Sequence, residues 1–182
     1  VLPAETPLLK FAATELQTFL EQATGRKPPV VKEPHADSVS LILGDNVYAV
    51  KAGLKVSALP EQGYFIRRVG SRIYLAGKDS ATDAPSQNGW AQCYRRGTLS
   101  AVYDFLERFA DARFFFPGET GTVIPAKGAL MLPPVIDILE RPDFIDRRFL
   151  HYDGKWYEGD GSYGGVKGIN LNLLRLRMTE NI

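Results

Sequence analysis

The feature that most constrains the fold is a pair of apolar-rich runs separated by Gly70-Ser71. Residues 64–69 and 72–76 are rich in aromatic and β-branched side chains, as strands usually are. A two-residue loop with glycine first suits a type II′ turn, whose twist matches that of the strands it joins. The pattern therefore predicts an antiparallel hairpin in the middle of the chain.

Two segments have helical periodicity on either side of this hairpin. Thr6-Pro7 is typical of an N-cap followed by the first helical residue, and Gly25 stands where a C-terminal cap is expected. The second helix begins at Gly97-Thr98. Its apolar stripe is Leu99, Val102, Tyr103, Leu106 and Phe109, and we expect Asp104, Glu107 and Arg108 to face away from the core.

Shorter apolar runs complete the predicted elements. Residues 39–43 are typical of a buried strand, and Asp45 is a candidate cap for a short helix that ends near Ala52. Residues 53–62 and 77–97 are expected to be loops. Residues 113–116 and 121–125 read as extended, with Phe114, Phe115 and Phe116 in the core. Pro133-Pro134 restricts the run 130–139 to an edge strand or a connection.

The predicted fold class is α/β (α+β), a mixed β-sheet with two main helices on one face. The composition changes near Arg141-Pro142, so we expect 1–140 to form one domain and 141–182 to be a linker and the start of a second, incomplete unit. Two helices cover only one face of a sheet. We therefore expect an apolar or mixed second face meant for another domain, and we expect the tail residues Leu171, Leu174 and Met178, or a second copy of the chain, to cover it here.

Composition and charge exclude several classes of site. The 182 residues carry a net charge of only +1, which gives no electrostatic footprint for nucleic acid. The lone Cys93 excludes an internal disulfide and a cysteine zinc site, and two histidines, His35 and His151, make a multi-histidine metal centre unexpected. No apolar run reaches the length of a membrane span. These counts lead us to expect no metal. Gly77-Lys78-Asp79 does not fit a phosphate-binding loop, and we expect no cofactor.

The segments GYFIRRVGSRIYLAGKD and RRGTLSAVYDFLERFADARFFFPGETGTVIP are distinctive. Their hairpin, the strand end Ala76-Gly77 and the step Arg96-Gly97 into a helix resemble the non-catalytic N-terminal domain of family 67 α-glucuronidases. The related domain of family 20 β-hexosaminidases and a group of uncharacterised bacterial proteins are similar. The resemblance covers 1–140 and implies a β-hexosaminidase-like accessory domain that docks on the catalytic (β/α)₈ barrel of the same polypeptide.

The tail extends this resemblance to sugar-binding residues. Pro142, Phe144 and Arg147 match a Pro-x-Phe-x-x-Arg pattern that opens the barrel of family 20, where the arginine binds sugar hydroxyls. A second alignment, with a run of the α-glucuronidases, selects the next arginine and leaves the choice between the two open. Together with the aromatic loop that follows, the substrate-binding candidates are Arg147, Arg148, His151, Tyr152, Asp153 and Trp156.

The same resemblance argues against catalysis by this chain. Glycoside hydrolysis usually needs two carboxyl groups that flank the scissile bond, and Asp153, Glu158 and Asp160 are the carboxylates of the tail. In the resembling barrels the catalytic acids lie on later strands, so we expect no catalytic residue here. The implied parent is a secreted or periplasmic glycoside hydrolase. A stand-alone carbohydrate-binding module and a purely structural module are the alternatives.

A possible anion site precedes the second helix. Arg95 and Arg96 stand before its N-terminus, where backbone N–H groups favour negative charge. The alternative is that Arg96 pairs with a carboxylate of a neighbouring strand or loop.

Overall fold

A mixed four-stranded sheet forms the centre of the protein. The computed structural model describes residues 1–83, 85, 94–144, 146–147 and 165–178. In chain order the elements are α1 (Pro7–Thr24), β1 (Ser40–Leu43), α2 (Val47–Lys51), β2 (Tyr64–Val69), β3 (Arg72–Gly77), α3 (Gly97–Phe109), β4 (Arg113–Phe114), β5 (Thr122–Val123), β6 (Asp137–Glu140) and α4 (Gly165–Arg175), with a 3₁₀ turn at Val56–Ala58.

The sheet order is β1-β3-β2-β6, and β1 is parallel to β3 while the other neighbours are antiparallel. This confirms the mixed sheet predicted from sequence. Pro133 and Pro134 lie in the connection before β6, which begins at Asp137 and takes an edge of the sheet. The central hairpin is also confirmed. Gly70 has a φ of 61° and Ser71 has no positive φ, which is the pattern of a type II′ turn.

The first helix forms as its capping residues predict. The Thr6 side chain accepts a hydrogen bond from the Leu9 N–H at 3.3 Å, and Pro7 opens the helix. Gly25, at a φ of 71°, donates its N–H to the Glu21 carbonyl. The apolar stripe of α1 packs beside α3 over one sheet face, in a core that includes Ile66, Ile73 and Leu75.

The second sheet face is covered by α2 and residues 52–59, so the expectation that it is left for another domain or a second copy is wrong. Its side chains Ile42, Phe65, Tyr74 and Ala76 form a separate cluster with α2 and residues 52–59, namely Ala49, Leu54, Val56 and Leu59. The segment 53–62 has no regular hydrophobic period, and its sequence therefore predicts a loop. A short helix and a 3₁₀ turn suffice because the strands are only four to six residues long and present a small area.

The tail does not cover that face either, which corrects the second part of the prediction. Ile169, Leu173 and Leu174 of α4 lie in the core beside α1 and α3, on the opposite side of the sheet. Leu171 and Met178 are partly buried against the same cluster. The domain boundary near Arg141 stays a prediction.

Three local expectations are also corrected. Asp104 does not face away but is buried, because α3 has the sheet on one side and α1 and α4 on others. Phe115 and Phe116 are 65% and 41% exposed, since the strand ends at Phe114 and only that ring enters the core. The N-cap of α2 is Asn46, whose side chain accepts from the N–H groups of Tyr48 and Ala49, rather than Asp45.

The end of β3 and the start of α3 touch through bare backbone. A Cβ added to Gly77 would lie 2.6 Å from the Cα of Gly97, and one added to Gly97 would lie 2.8 Å from the Gly63 carbonyl oxygen. The Gly77 N–H donates to the Thr98 hydroxyl at 3.1 Å, and the Thr98 N–H donates to the Asp79 carboxylate at 2.9 Å. We call these contacts the glycine junction.

Replacing Gly97 by alanine should be far more costly than an ordinary glycine substitution. The new methyl group would press on backbone atoms that cannot move separately, and we expect Gly97→Ala to lower the free energy of unfolding by about 3 kcal/mol. The matched control is Gly25→Ala, where the added Cβ meets open space and only the left-handed backbone costs about 1 kcal/mol. Urea denaturation measures both, and equal losses would contradict this view of the junction.

Candidate functional site

A polar recess lies where β2, β6, α3 and the tail converge. It has a volume of about 230 Å³ and is called here the arginine recess. Its lining residues are Gln62, Tyr64, Ser100, Asp104, Arg108, Glu140, Pro142, Arg147 and Arg177. Only Arg147 among these was a site residue predicted from sequence.

The strands β2 and β6 and the helix α3 position one wall of the recess. Tyr64 and Glu140 are opposite each other in the register of β2 and β6. Ser100, Asp104 and Arg108 are four residues apart on α3, a spacing that brings them to one face of the helix. Since α3 packs on β2, this face meets the ends of the two strands, and residues distant in sequence share one wall.

Arg108 ties the two carboxylates of this wall together. Its Nε lies 2.9 Å from both oxygens of Asp104, and its Nη2 lies 2.7 Å from Glu140. Burial, and secondarily the charge of Asp104, raises the pKa of the Tyr64 phenol well above its ordinary value. Tyr64 therefore stays a neutral hydrogen-bonding group at physiological pH.

The tail supplies two further guanidinium groups. Arg147 donates from Nη2 to the Arg177 carbonyl at 2.9 Å and from Nη1 to the Phe144 carbonyl at 2.6 Å, and its Nη2 lies 3.5 Å from Gln62 Oε1. Arg177 pairs with Glu107 at 2.6 Å. Burial lowers the pKa of Arg147, but an arginine remains charged at neutral pH.

Two residues of the recess have an uncommon backbone conformation. Gln62 and Arg177 have φ values of 66° and 56°, in the left-handed region that favours glycine. Such residues cost free energy and persist where the surroundings fix them, and they are frequent at functional sites. The structure thus holds both side chains at the recess against their local preference.

Two residues of the Pro-x-Phe-x-x-Arg pattern, Pro142 and Arg147, line the recess. Phe144 is not among the lining residues; it is 74% exposed, and its backbone carbonyl accepts from Arg147. The remaining substrate-binding candidates are outside the described residues: Arg148, His151, Tyr152, Asp153 and Trp156. Cys93 is outside them as well.

Sequence reasoning missed most of the recess because its residues belong to no motif. Asp104 and Arg108 carry the one local signal, a charge pair four residues apart on a helix. Tyr64, Gln62 and Arg177 come together only through tertiary packing. In chemical terms the recess offers forked N–H donors, a phenol and carboxylates. Both lining carboxylates are bonded to Arg108, an arrangement suited to binding polar groups.

The structure does not bring Arg95 and Arg96 into one site. Arg96 is 1% exposed, and its guanidinium donates to the Met178 carbonyl. Arg95 is exposed and pairs with Glu61 at 3.1 Å. At the start of α3 the Asp79 carboxylate accepts from the Thr98 N–H, the type of donor that an external anion would use. The anion site at these two arginines stays a prediction.

Within the described part of the chain, no group of three or more His, Cys, Asp or Glu side chains is arranged to hold a metal ion. No described helix combines the length and the apolar character needed to cross a membrane. Comparisons of the chain with family models, with curated proteins and with solved structures found no match.

Asp79 should give the protein a distinctive pH dependence. Burial raises its pKa to about 6 from 3.8, against the hydrogen bonds from Thr98 that lower it. The folded state then binds a proton more tightly than the unfolded state does. Between about pH 6 and about pH 4 this residue adds stability as the pH falls, by at most about 3 kcal/mol.

Asp79→Asn keeps an acceptor oxygen for Thr98 and removes the titration. We expect the unfolding free energy of the wild type to increase relative to that of Asp79→Asn as the pH falls from about 7 to about 4. Denaturation at several pH values measures this difference. The exposed Asp37 provides the control Asp37→Asn, which should show no such divergence. Parallel pH profiles for the wild type and Asp79→Asn would refute the assignment.

Proposed function

We propose that the chain is a non-catalytic accessory domain of a glycoside hydrolase that acts on polysaccharides or uronic-acid-containing glycans. In this proposal the arginine recess binds a sugar unit next to the barrel of the same polypeptide. The observation that carries it is that Pro142 and Arg147 line one recess together with two further arginines. The resemblance of Pro142, Phe144 and Arg147 to a sugar-binding pattern gives the ligand class.

The chemistry of the recess supports a sugar that bears a carboxylate. Three guanidinium groups line the recess: Arg108 pairs with Asp104 and Glu140, Arg177 pairs with Glu107, and Arg147 donates to two backbone carbonyls. A planar guanidinium offers a fork of N–H donors that matches a carboxylate or a pair of hydroxyls. The phenol of Tyr64 and the amide of Gln62 can direct hydroxyl groups, and a volume of about 230 Å³ has room for one sugar ring.

The exposed ring of Phe144 supports the same ligand class. Aromatic faces pack against the C–H groups of sugar rings while polar neighbours bind the hydroxyls. Arg147, which lines the recess, donates to the backbone carbonyl of Phe144 three residues before it. An exposed phenylalanine next to an arginine suits a ligand that is apolar on one face and polar at its rim.

A stand-alone carbohydrate-binding module is the second candidate. Its support is that the lining of the recess supplies guanidinium and phenol donors for a sugar, and that the chain has an exposed aromatic side chain at Phe144. Such a module binds glycans without a barrel, whereas an accessory domain completes its site with barrel loops. Secretion or a periplasmic location belongs to either proposal.

Calorimetric titration of the 182-residue chain with oligosaccharides ending in a uronic acid tests the recess. We expect Arg147→Ala to weaken binding about tenfold or more, because a charge-assisted hydrogen bond is lost. The matched control is Arg113→Ala, since Arg113 also donates to backbone carbonyls but lies away from the recess. Equal affinities for both variants, or no preference over neutral oligosaccharides, would count against the proposal.

Hydrolysis separates the accessory domain from its alternatives. The protein expressed from its complete gene should release sugar from uronic-acid-containing glycans, while the 182-residue chain should release no nitrophenol from aryl glycosides. A full-length protein that binds glycans without cleaving any would favour the binding module. Release by the short chain that one carboxylate substitution abolishes would show that the chain itself is the enzyme.

A further inference from the structure

The two parallel strands of the sheet, β1 and β3, send the chain to opposite faces. After β1 the chain enters α2, which packs in the cluster on the second face. After β3 it enters α3, which lies in the main core on the first face. Where the connections of neighbouring parallel strands part in this way, a crevice forms outside their carboxyl ends, and ligands of open α/β sheets bind there.

A crevice of about 290 Å³ lies at this position and is called here the carboxyl-end crevice. Asp45, which follows β1, and residues 77–81, which follow β3, both line it. The start of α1 lines it from the first sheet face, and the 3₁₀ turn lines it from the second. The topology of the sheet thus accounts for the position of the cavity.

Hydrogen bonds hold the loop that follows β3. The Lys78 carbonyl accepts from the N–H of the first residue of α3 at 2.9 Å, and the Ser80 N–H donates to the Arg95 carbonyl at 2.7 Å. Between them the Asp79 carboxylate accepts from the Thr98 N–H at 2.9 Å. This wall of the crevice is therefore formed before a ligand binds, which lowers the entropy cost of binding.

Two carboxylates of the crevice favour ligands that donate hydrogen bonds. Among the described residues, neither Asp45 nor Asp79 forms an ion pair. Burial raises the pKa of Asp79, and the charge of Asp45 adds to that effect. Because an ionised carboxylate only accepts hydrogen bonds, the pair would repel an anionic ligand and accept from the hydroxyl groups of a neutral one.

Two cations of the crevice disfavour a positively charged ligand. Lys78 Nζ lies 3.7 Å and Arg95 Nε lies 3.1 Å from the same carboxylate, that of Glu61. One carboxylate does not neutralise both, so a cationic ligand would meet a residual positive charge here. Both side chains have several N–H groups, which suits them to donate to hydroxyl oxygens as well.

We propose that the carboxyl-end crevice binds a neutral polyhydroxyl compound, such as one sugar unit. A hydroxyl group both donates and accepts, so it suits a lining that combines carboxylates, cations and the hydroxyls of Thr6 and Ser57. Leu9 and Val56 add an apolar surface for the C–H groups of the ligand. A volume of about 290 Å³ has room for one such ring.

The carboxyl-end crevice is separate from the arginine recess. The two share no lining residue, and their expected ligands differ in charge, a neutral sugar in the crevice and a uronic acid in the recess. Binding at the crevice therefore does not depend on the function proposed above, and either site can fail without the other.

NMR titration of the 182-residue chain with monosaccharides tests the proposal. The neutral probes are glucose, galactose, mannose and xylose. Glucosamine and glucuronate are the matched charged probes, with a positive and a negative group on the same ring. The backbone amides of Ser57 and Ser80 report on the crevice, and those of Tyr64 and Arg108 report on the arginine recess.

We expect at least one neutral probe to shift the Ser57 and Ser80 amides in a saturable way. Asp45→Ala should weaken this binding about tenfold or more, because a charge-assisted hydrogen bond is lost. Asp45 is exposed, and the cap of α2 is the next residue, so the substitution should leave the fold intact. The matched control is Asp37→Ala, which removes an exposed carboxylate that does not line the crevice.

Absence of saturable shifts at Ser57 and Ser80 with every neutral probe would overturn the proposal. Tenfold tighter binding of glucosamine or glucuronate at these amides would overturn it too, because the crevice would then be a site for a charged ligand. Equal affinities of Asp45→Ala and Asp37→Ala would have the same consequence. Shifts confined to Tyr64 and Arg108 would reject the crevice while supporting the arginine recess.

Discussion

The backbone contact between Gly77 and Gly97 is the constraint on which the rest of the structure depends. It sets the end of β3 directly against the start of α3, with no side chain between them. Thr98 and Asp79 then satisfy backbone N–H groups of both elements at that point. Because α3 contacts the sheet, α1 and α4, its position at the junction fixes the main core. The same placement directs the Ser100–Asp104–Arg108 face toward the strand ends, so the arginine recess depends on the junction as well.

Local signals account for the parts of the fold that the sequence predicts. The hairpin turn at Gly70 and each cap of α1 depend on residues within a few positions of each other. These elements can therefore be predicted from local sequence, without knowledge of the tertiary structure. The burial of Asp104 was missed because a helical stripe assumes one buried face, whereas α3 has neighbours on several sides. The cover of the second face was missed because residues 47–59 are too short and irregular to show a period.

The residues of the candidate site also fall into those that a local pattern predicts and those that only the tertiary structure brings together. Arg147 could be predicted because a short pattern contains it together with Pro142 and Phe144. Tyr64 and Arg177 could not, since strand pairing and tail packing bring them together across more than a hundred positions of the chain. The positive φ of Gln62 and Arg177 has no sequence signature, because neither residue is glycine or asparagine.

Native-state amide exchange of Gly77 tests the central role of the glycine junction most directly. Its N–H donates to the buried Thr98 hydroxyl, so it can exchange only when β3 and α3 separate. If the junction holds the fold together, the opening free energy of Gly77 will equal that of Leu75 in the core and the global free energy of unfolding. Exchange of Gly77 through an opening far less costly than that of Leu75 would show that helix and sheet part while the sheet persists, and would contradict the account.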